Sequence, residues 1–295
     1  MHFSMPQHKD TVIATVPFIL ALLGTTEQAL QEQGLTPQAL ADIYNDYLGR
    51  QRDLTDIAQL IAGMLQKSER VHYVSYRIKA PMHLLHKIIR KKKEYPDRAF
   101  TPHTYLDLIN DLVGVRVLHL YKDSWMNTGQ FIKQEWELKR APYAYINKHQ
   151  DEQSLQDFAA HGCRIIPHPT GYKAVHYVIK TKPGKQQYFA EIQLRTLFEE
   201  SWSEIDHSIR YPDHICSKLS EDLLTILNRL TSNADEMASF IRALATKFEE
   251  SDPAAQAADQ PLPQLLDHLE KLPITQEEKQ SLRSHLSNMR TRKQK

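Results

Sequence analysis

The chain has 295 residues, of which 41% are hydrophobic and 25% are charged, and its formal net charge is +1. This length and apolar content allow one sizeable core with helical extensions. The near-neutral charge excludes a chain-wide polyanion-binding surface, although local basic runs remain. The two cysteines, Cys163 and Cys216, are too few for a disulfide framework and too far apart for a Cys-x-x-Cys zinc site, so we expect a cytoplasmic protein.

The N-terminal part is predicted to be helical. Its most apolar run, residues 12–23, is too short to span a bilayer and contains Pro17, so we expect no membrane association. A signal peptide is disfavoured because no small-x-small cleavage pattern follows the run, and a buried helix is the preferred interpretation. Thr36 then forms an N-cap before Pro37, and apolar residues at helical spacing predict further core helices.

The middle of the chain begins with strand-like and helical segments in alternation. Residues 71–79 form a short β-like run, and residues 81–93 predict a helix whose basic side chains are mostly a solvated face. Residues 110–118 form an apolar, β-branched strand with Asp111 at its entrance. The polar segment 122–162 predicts a helical excursion in which the aromatic residues pack.

Residues 164–196 predict a β-hairpin around a Lys-Pro-Gly-Lys turn at 182–185. In the first strand, about 172–180, a period of two places Tyr172 and His176 on the same face. The hairpin therefore predicts one strand face that carries an aromatic ring and, four residues later, an imidazole.

The return strand of this hairpin places Glu191, Gln193 and Arg195 on one face. Three polar side chains in a row are costly to bury without partners, so this face suits a metal and a charged ligand. Each carboxylate taken alone has a simpler structural interpretation. Asp111 would cap a strand, and Glu191 would pair with Arg195. Their combination favours a Mg²⁺–phosphate site, because Mg²⁺ takes one or two carboxylates plus substrate phosphates.

The rest of the chain is predicted to be helical. Residues 197–210 predict one helix, and residues 219–250 predict a long amphipathic one. The composition of residues 251–263 is that of a linker, and residues 265–289 predict one or two short helices before a basic tail.

Four motifs occur in the order and approximate spacing of the RelA/SpoT nucleotide pyrophosphokinase, or alarmone synthetase, domain, which the chain resembles over about residues 73–211. They are Arg77-Ile-Lys79, Asp111-Leu-Val-Gly-Val-Arg-Val, Gly171-Tyr172-x-x-x-His176, and Glu191-Ile-Gln193-Leu-Arg195-Thr196. The resemblance implies an α+β fold with a nucleotidyltransferase-like mixed β-sheet of about five strands flanked by helices. The implied organisation is an N-terminal helical segment at 1–70, a synthetase domain at 71–211 and a C-terminal helical extension at 212–295.

The resemblance also implies a reaction. ATP would donate its β,γ-diphosphate to the ribose 3′-hydroxyl of a guanosine nucleotide, GDP or GTP, giving (p)ppGpp and AMP. Asp111 and Glu191 would be the catalytic pair and hold Mg²⁺. The implied donor contacts are basic side chains: Arg77, Lys79, Lys87 and Arg116. The implied acceptor contacts are Tyr172, which would stack on the base, with His176, Gln193, Arg195 and His168. Glu204 and His207 would support them from the following helix.

The acceptor loop departs from the family pattern. Many relatives read Pro-Lys-x-Asn-Gly-Tyr, whereas this chain reads Pro167-His168-Pro169-Thr170-Gly171-Tyr172. His168, in place of a lysine, is only partly charged near neutral pH. The acceptor therefore stays open, and a toxic relative that modifies adenine nucleotides or the tRNA 3′ end, with an antitoxin as partner, is the alternative.

A third interpretation is a catalytically silent nucleotide- or RNA-binding protein, against which the intact Asp111, Glu191 and Arg195 argue. The chain has no His-Asp dipeptide of the kind that the family's hydrolase domain uses, so a synthetase-only protein is expected. The resemblance is compatible with a homo-oligomer assembled through terminal helices.

Overall fold

A computed structural model describes residues 13–147, 152–210, 217–249, 266, 269–270, 272 and 274–292. The helices are α1 (Val16–Leu23), α2 (Glu27–Gln31), α3 (Pro37–Gly49), α4 (Gln51–Leu65), α5 (Pro81–Glu94), α6 (Tyr105–Leu108), α7 (Trp125–Glu135), α8 (Glu152–Ala160), α9 (Leu197–Arg210), α10 (Lys218–Glu249) and α11 (Gln276–Arg292). The strands are β1 (Tyr73–Ile78), β2 (Val113–His119), β3 (Tyr143–Ile146), β4 (Arg164–Pro167), β5 (Ala174–Thr181) and β6 (Tyr188–Thr196).

The six strands form one mixed sheet in the order β1-β2-β6-β5-β3-β4. β2 runs parallel to β6 and β3 runs parallel to β4, while the other neighbours are antiparallel. The predicted α+β class with a mixed sheet flanked by helices is confirmed, with six strands where about five were expected.

Two strands, β3 and β4, differ from their predicted structure or pairing. The prediction of a wholly helical segment at 122–162 is wrong over Tyr143–Ile146, which is β3. Ala144 and Ile146 of this strand are buried, whereas Tyr143 and Tyr145 are half-buried on the opposite face, so tertiary packing overrides the polar surroundings in sequence. β4 was predicted as part of the hairpin but pairs in parallel with β3, and only β5 and β6 form the hairpin.

The sheet has one apolar face and one polar face, because side chains alternate along each strand. The apolar face consists of buried residues of β2, β5 and β6: Val113, Val115, Val117, Val175, Tyr177, Ile179, Ala190, Ile192 and Leu194. α4 packs against β1 and β2 on the core side. α7 approaches so closely that a Cβ on Gly129 would lie 2.3 Å from the Tyr177 hydroxyl.

The N-terminal helices belong to the same hydrophobic core as the sheet. Ile19 of α1, Ile43 of α3 and Ile61 of α4 are fully buried and contribute to the cluster that contains the sheet's apolar face. The predicted buried N-terminal helix is thus anchored by Ile19, although Phe18 beside it remains 46% exposed. The division of the chain at residues 70 and 211 stays a prediction.

Several predicted features lie outside the described residues. They are Cys216, the junction at 211–212 and the linker at 251–263. Cys163 is buried and carries a free thiol, whose pKa is raised to about 11 by burial. Within the described part of the chain, no helix combines the length and the apolar character that crossing a bilayer requires.

Candidate active site

The polar face of the sheet brings the predicted site residues into adjacent rows. In one row Arg77 of β1 pairs with Gly114 of β2, and Gly114 pairs with Glu191 of β6. In the next row Arg116 pairs with Gln193, and Gln193 pairs with His176. Because paired residues share a face, the strands themselves place these side chains together.

Asp111 lies just before β2 and is held by two lysines. Its Oδ2 is 2.8 Å from Nζ of Lys79, and its Oδ1 is 2.7 Å from Nζ of Lys87 on α5. All three side chains are largely buried. Burial lowers the pKa of Lys79, although the neighbouring Asp111 partly offsets this effect. Three predicted residues therefore form one compact charged cluster at the entrance to β2.

Glu191 lies in the middle of β6 and is surrounded by donors. Gln193 Nε2 donates to its Oε2 at 2.9 Å, and His176 Nδ1 is 3.4 Å from its Oε1. Burial alone would raise the pKa of Glu191, but these two neighbours and the charge of Lys87 hold the pKa well below its ordinary value. Glu191 is therefore ionised at neutral pH. Because Lys87 affects the pKa of Glu191 and also contacts Asp111, the two carboxylates are linked electrostatically.

Five predicted residues form a closed hydrogen-bonded circuit, which we call the polar ring: Glu191, Gln193, Arg195, Tyr172 and His176. Arg195 Nη2 donates to Gln193 Oε1 at 2.7 Å and to the Tyr172 hydroxyl, which in turn lies 2.9 Å from His176 Nε2. His176 and Gln193 then close the circuit on Glu191. The predicted sharing of one face by Glu191, Gln193 and Arg195 is confirmed.

The polar ring also fixes the proton positions. The Tyr172 hydroxyl accepts from Arg195, so its own proton faces Nε2 of His176. Nδ1 of His176 then carries the proton that faces Glu191, an assignment made from the network. Burial raises the pKa of Tyr172 to about 12, so its hydroxyl remains protonated at neutral pH.

Aromatic rings surround Tyr172. The rings of Tyr145 and Tyr172 have centroids 5.8 Å apart, and those of Tyr145 and His176 are 4.8 Å apart. The ring of His168 lies 5.3 Å from that of Tyr172. Tyr145, which the sequence interpretation assigned to packing, therefore lies against two residues of the candidate site.

His168 is less basic than its sequence position suggested. Its Nδ1 lies 3.0 Å from Oγ1 of Thr170, so the two substituted loop residues contact each other. Burial lowers the pKa of His168 and His176 acts in the same direction, while Asp206 opposes them. At neutral pH the imidazole is therefore mainly neutral.

Arg116 and Arg195 share a carboxylate that the sequence interpretation did not single out. Glu200 of α9 lies 2.8 Å from Nη1 of Arg116 through one oxygen and 2.7 Å from Nη1 of Arg195 through the other. Glu204, one turn later, is 2.5 Å from Arg116. The spacing of Glu200 and Glu204 on one helix face was the available signal.

His207 lies close enough to His83 on α5 for its charge to affect the pKa of that histidine. Burial lowers the pKa of His83 on α5, and the charges of Lys79, His86, Arg77 and His207 act in the same direction. α9 begins directly after β6 and carries Glu200, Glu204 and His207 on successive turns.

The two carboxylates fit a Mg²⁺ ion. No group of three or more His, Cys, Asp or Glu side chains among the described residues is arranged to hold a metal. Mg²⁺, however, takes one or two carboxylates and completes its shell with water and substrate phosphates. Oδ1 of Asp111 is buried and accepts no well-directed hydrogen bond from a described residue, although Lys87 lies 2.7 Å away. A carboxylate oxygen of this kind is the ligand chemistry that Mg²⁺ prefers.

Comparison with known proteins places this site in a family. Residues 76–215 match the family model described as "Region found in RelA / SpoT proteins". These residues are a RelA/SpoT-type domain. The recognition predicted from the motif order, a RelA/SpoT domain of the pyrophosphokinase-like type, is confirmed.

Individual relatives of the RelA/SpoT-type domain are distant in sequence. The chain is 23% identical over 175 residues to GTP pyrophosphokinase YwaC of Bacillus subtilis (strain 168), an alignment that covers 58% of this chain and 70% of that protein. A GTP pyrophosphokinase family protein from Streptococcus pneumoniae is 20% identical, with a TM-score of 0.47 over 68% of this chain and 91% of that one. Small alarmone synthetase 1 from Bacillus subtilis, bound to its product pppGpp, is 19% identical, with a TM-score of 0.49 over 67% of this chain and 95% of that one.

A cavity of about 950 Å³ lies between the RelA/SpoT-type domain and α10, and the carboxylate pair does not line it. It opens between α10 and the ends of the strands, and its lining includes Arg195 and Tyr145 but neither Asp111 nor Glu191. The charge distribution and the metal-ligand chemistry, not the size of this cavity, locate the candidate active site.

One more cation of the RelA/SpoT-type domain was missed from the sequence. Arg140 lies over the ring of Tyr143, 3.4 Å from its centroid. Burial lowers the pKa of Arg140, while the nearby Tyr143 and Glu191 oppose the shift. Arg140 comes from the segment that was predicted to be helical, so its proximity to Glu191 had no local signal.

Proposed function

We propose that the chain transfers pyrophosphate from ATP to the ribose 3′-hydroxyl of a guanosine nucleotide, GDP or GTP, releasing AMP and forming (p)ppGpp. The observation that carries this proposal is the pairing, inside a RelA/SpoT-type domain, of the lysine-bound Asp111 with the polar ring around Glu191. The name of the relative from Bacillus subtilis, a GTP pyrophosphokinase, supports the choice of a guanosine acceptor.

The donor half of the site is the cationic group Arg77, Lys79 and Lys87. ATP carries about four negative charges, and cations that offset them stabilise the charge that develops during transfer. Arg77 is exposed, has no carboxylate partner among the described residues, and lies over Gly114, where a Cβ would be 3.5 Å from its Cγ. It is therefore ready to bind phosphate. The two lysines would release Asp111, which would bind the metal, and would themselves bind phosphate oxygens.

Asp111 and Glu191 would hold Mg²⁺, which would offset phosphate charge when it is bound. Glu191 is ionised at neutral pH, so it can accept the hydrogen bond of the attacking 3′-hydroxyl and orient it. Its low pKa makes it a weak base, and positioning would therefore contribute more to the rate than proton abstraction.

The acceptor half consists of the polar ring and the aromatic rings beside it. Tyr172 would stack on the acceptor base, with its ring fixed in orientation by the bonds of its hydroxyl to Arg195 and His176. His168, mainly neutral, would act on the acceptor as a hydrogen-bonding group more than as a charge.

The test is a transfer assay with a panel of acceptors. Purified protein, Mg²⁺ and γ-labelled ATP are incubated with GDP, GTP, ADP and deacylated tRNA, and the labelled species are separated. Label in GDP or GTP, with AMP formed, supports the proposal. Label only in ADP or tRNA would replace the guanosine acceptor by one of the alternatives, and label in none of the four would reject the proposed activity.

Self-association is also part of the proposal. α10 exposes an apolar stripe at heptad-like spacing: Leu219, Leu223, Ile226 and Leu230. This stripe supports a homo-oligomer formed through terminal helices, and light scattering of the purified protein measures its size. An antitoxin is proposed only for the case in which the acceptor is not a guanosine nucleotide.

A further inference from the structure

α10 lies outside residues 76–215 that match the family, yet its polar face is bonded to the acceptor half of the site. Asn228, Ser232 and Asp235 are spaced by four and three residues, so they share one side of the helix. Each makes a hydrogen bond to a residue that lies next to Tyr172 or Arg195 in sequence.

The first contact holds the turn before Tyr172. Asn228 is only 7% exposed, and its Nδ2 donates to the backbone carbonyl of Gly171 at 3.1 Å. Gly171 has a φ of +81°, which L side chains rarely adopt, and a Cβ there would lie 3.3 Å from Oδ1 of Asn228. The turn that presents Tyr172 is therefore fixed both by a buried hydrogen bond and by close packing.

The other two contacts flank the polar ring. Nζ of Lys173, the residue after Tyr172, donates to Oγ of Ser232 at 2.8 Å. Oγ1 of Thr196, the residue after Arg195, donates to Oδ2 of the buried Asp235 at 2.9 Å. α10 thus reaches both chain segments that supply the acceptor half.

α9 sets the position of α10 along this surface. The indole nitrogen of the buried Trp202 donates to the backbone carbonyl of Leu224 at 2.9 Å. Because this bond goes to the helix backbone, it fixes which residues of α10 face Gly171 and Thr196. By contrast, the donor residues Lys79 and Lys87 are carried by the end of β1 and by α5.

We propose that α10 is a positioning element for the acceptor, acting through Asn228, Ser232 and Asp235 on the segments that carry Tyr172 and Arg195. This inference rests on the proposed pyrophosphate transfer. The three residues do not touch substrate; they hold the residues that do. Their loss is therefore expected to weaken acceptor binding and to leave ATP binding unchanged.

The test uses steady-state kinetics with each substrate varied in turn. Asn228→Ala, and the near-isosteric Asn228→Asp that loses the donor, should raise the acceptor KM about 5- to 30-fold, the factor equivalent to one or two kcal/mol. The ATP KM should stay within about twofold, because no donor contact is removed. Thr225→Ala is the matched control, since the exposed Thr225 hydroxyl donates to the backbone carbonyl of Glu221 within its own helix.

A second pair of variants, at Ser232, makes a smaller change and tests the proposal even if the Asn228 variants fold poorly. Ser232→Ala removes the hydroxyl that accepts from Lys173, and Ser232→Thr retains it. The alanine variant should raise the acceptor KM, and the threonine variant should restore it. Equal rises in the KM for ATP and for the acceptor, or no rise in either, would overturn the proposal.

Amide hydrogen exchange separates this inference from the proposed activity. In the intact protein without substrate, Asn228→Ala should speed exchange at residues 171–173 relative to Thr225→Ala. Absence of any transfer by the wild-type protein would reject the proposed function alone. Unchanged exchange at residues 171–173 would reject the positioning role of α10, whatever the activity.

Discussion

Arg195 donates a hydrogen bond to the hydroxyl of Tyr172, and its guanidinium carbon lies 5.0 Å from the centre of the Tyr172 ring. The same hydroxyl lies 2.9 Å from Nε2 of His176. The proposed stacking residue is thus held at its polar end, so its ring is oriented before any nucleotide binds. Pre-organisation of this kind lowers the entropic cost of binding.

Tyr172 gives the first prediction. Tyr172→Ala should weaken acceptor binding by about 1–3 kcal/mol, the scale of base–aromatic stacking. Tyr172→Phe keeps the ring but opens the polar ring, so we expect a smaller loss of about 1 kcal/mol. Calorimetric titration of the protein with GDP measures both. Equal affinity of the phenylalanine variant and the wild type would show that the hydroxyl bonds do not prepare the ring.

Arg77 gives the second prediction, for the donor. Arg77→Ala should raise the ATP KM or lower kcat, with the acceptor KM unchanged, because an exposed cation without a carboxylate partner among the described residues is free to bind phosphate. Arg52→Ala removes an exposed guanidinium from α4 and serves as the control. ATP titrations that coincide for Arg77→Ala, Arg52→Ala and the wild type would exclude Arg77 from the donor site.

The third prediction compares two carboxylates that bind the same arginine. The side chain of Glu200 is 15% exposed and bridges Arg116 and Arg195, whereas that of Glu204 is 53% exposed and binds Arg116 alone. Glu200→Gln should lower the free energy of unfolding by about 1–3 kcal/mol, because it leaves buried donors under-satisfied.

Glu204→Gln is the matched comparison and should cost less than about 1 kcal/mol, because solvent screens an exposed pair. Urea denaturation of both variants measures the difference. If the order of the two losses is reversed, the bridge through Glu200 does not stabilise the fold.

The sequence predicts the arrangement of site residues when they lie close together in the chain. Glu191, Gln193 and Arg195 lie two apart on one strand, so the period of the strand was enough to predict their shared face. The lysine cluster around Asp111 combines β1, α5 and the entrance to β2, and only the family resemblance linked them. In the structure the charge of Lys87, which contacts Asp111, also affects the pKa of Glu191, so the two groups lie near each other.

The structural features that were not predicted from the sequence depend on contacts between residues that are far apart in the chain. β3 is four residues long, and its pairing with β4 and β5 makes it a strand. The residues of α10 that face Gly171 and Thr196 could not be selected from an amphipathic pattern, because their partners lie about 40 to 60 residues earlier. Glu200 showed no feature in sequence beyond its spacing from Glu204.

Asp235 gives the fourth prediction, on pH. Burial raises its pKa, and the neighbouring Glu199 acts in the same direction, while the bond from Thr196 and the charges of Lys173 and Lys122 oppose them. A carboxyl group with a raised pKa binds its proton more tightly in the folded state than in the unfolded chain. The stability linked to Asp235 is therefore full below the unfolded pKa, about 4, and declines as the pH rises towards the folded value.

Asp235→Asn should remove that decline, since asparagine keeps the shape and carries no titrating proton. Thermal unfolding between about pH 5 and pH 7.5 measures this effect, and the slope of Tm against pH should be flatter in Asp235→Asn than in the wild type. Asp222→Asn changes an exposed aspartate of the same helix and should leave the slope unaltered. Parallel curves for the wild type and Asp235→Asn would contradict the raised pKa.

The rate of AMP release from ATP in the presence of Mg²⁺ and a guanosine nucleotide tests the central claim most directly. The wild type should release one AMP for each acceptor that gains a diphosphate. Asp111→Asn and Glu191→Gln, both nearly isosteric, should retain the wild-type fold by circular dichroism and lose at least about 10²-fold in rate, the scale of losing a key electrostatic group. Release of ADP in place of AMP, or wild-type turnover by either variant, would contradict the account.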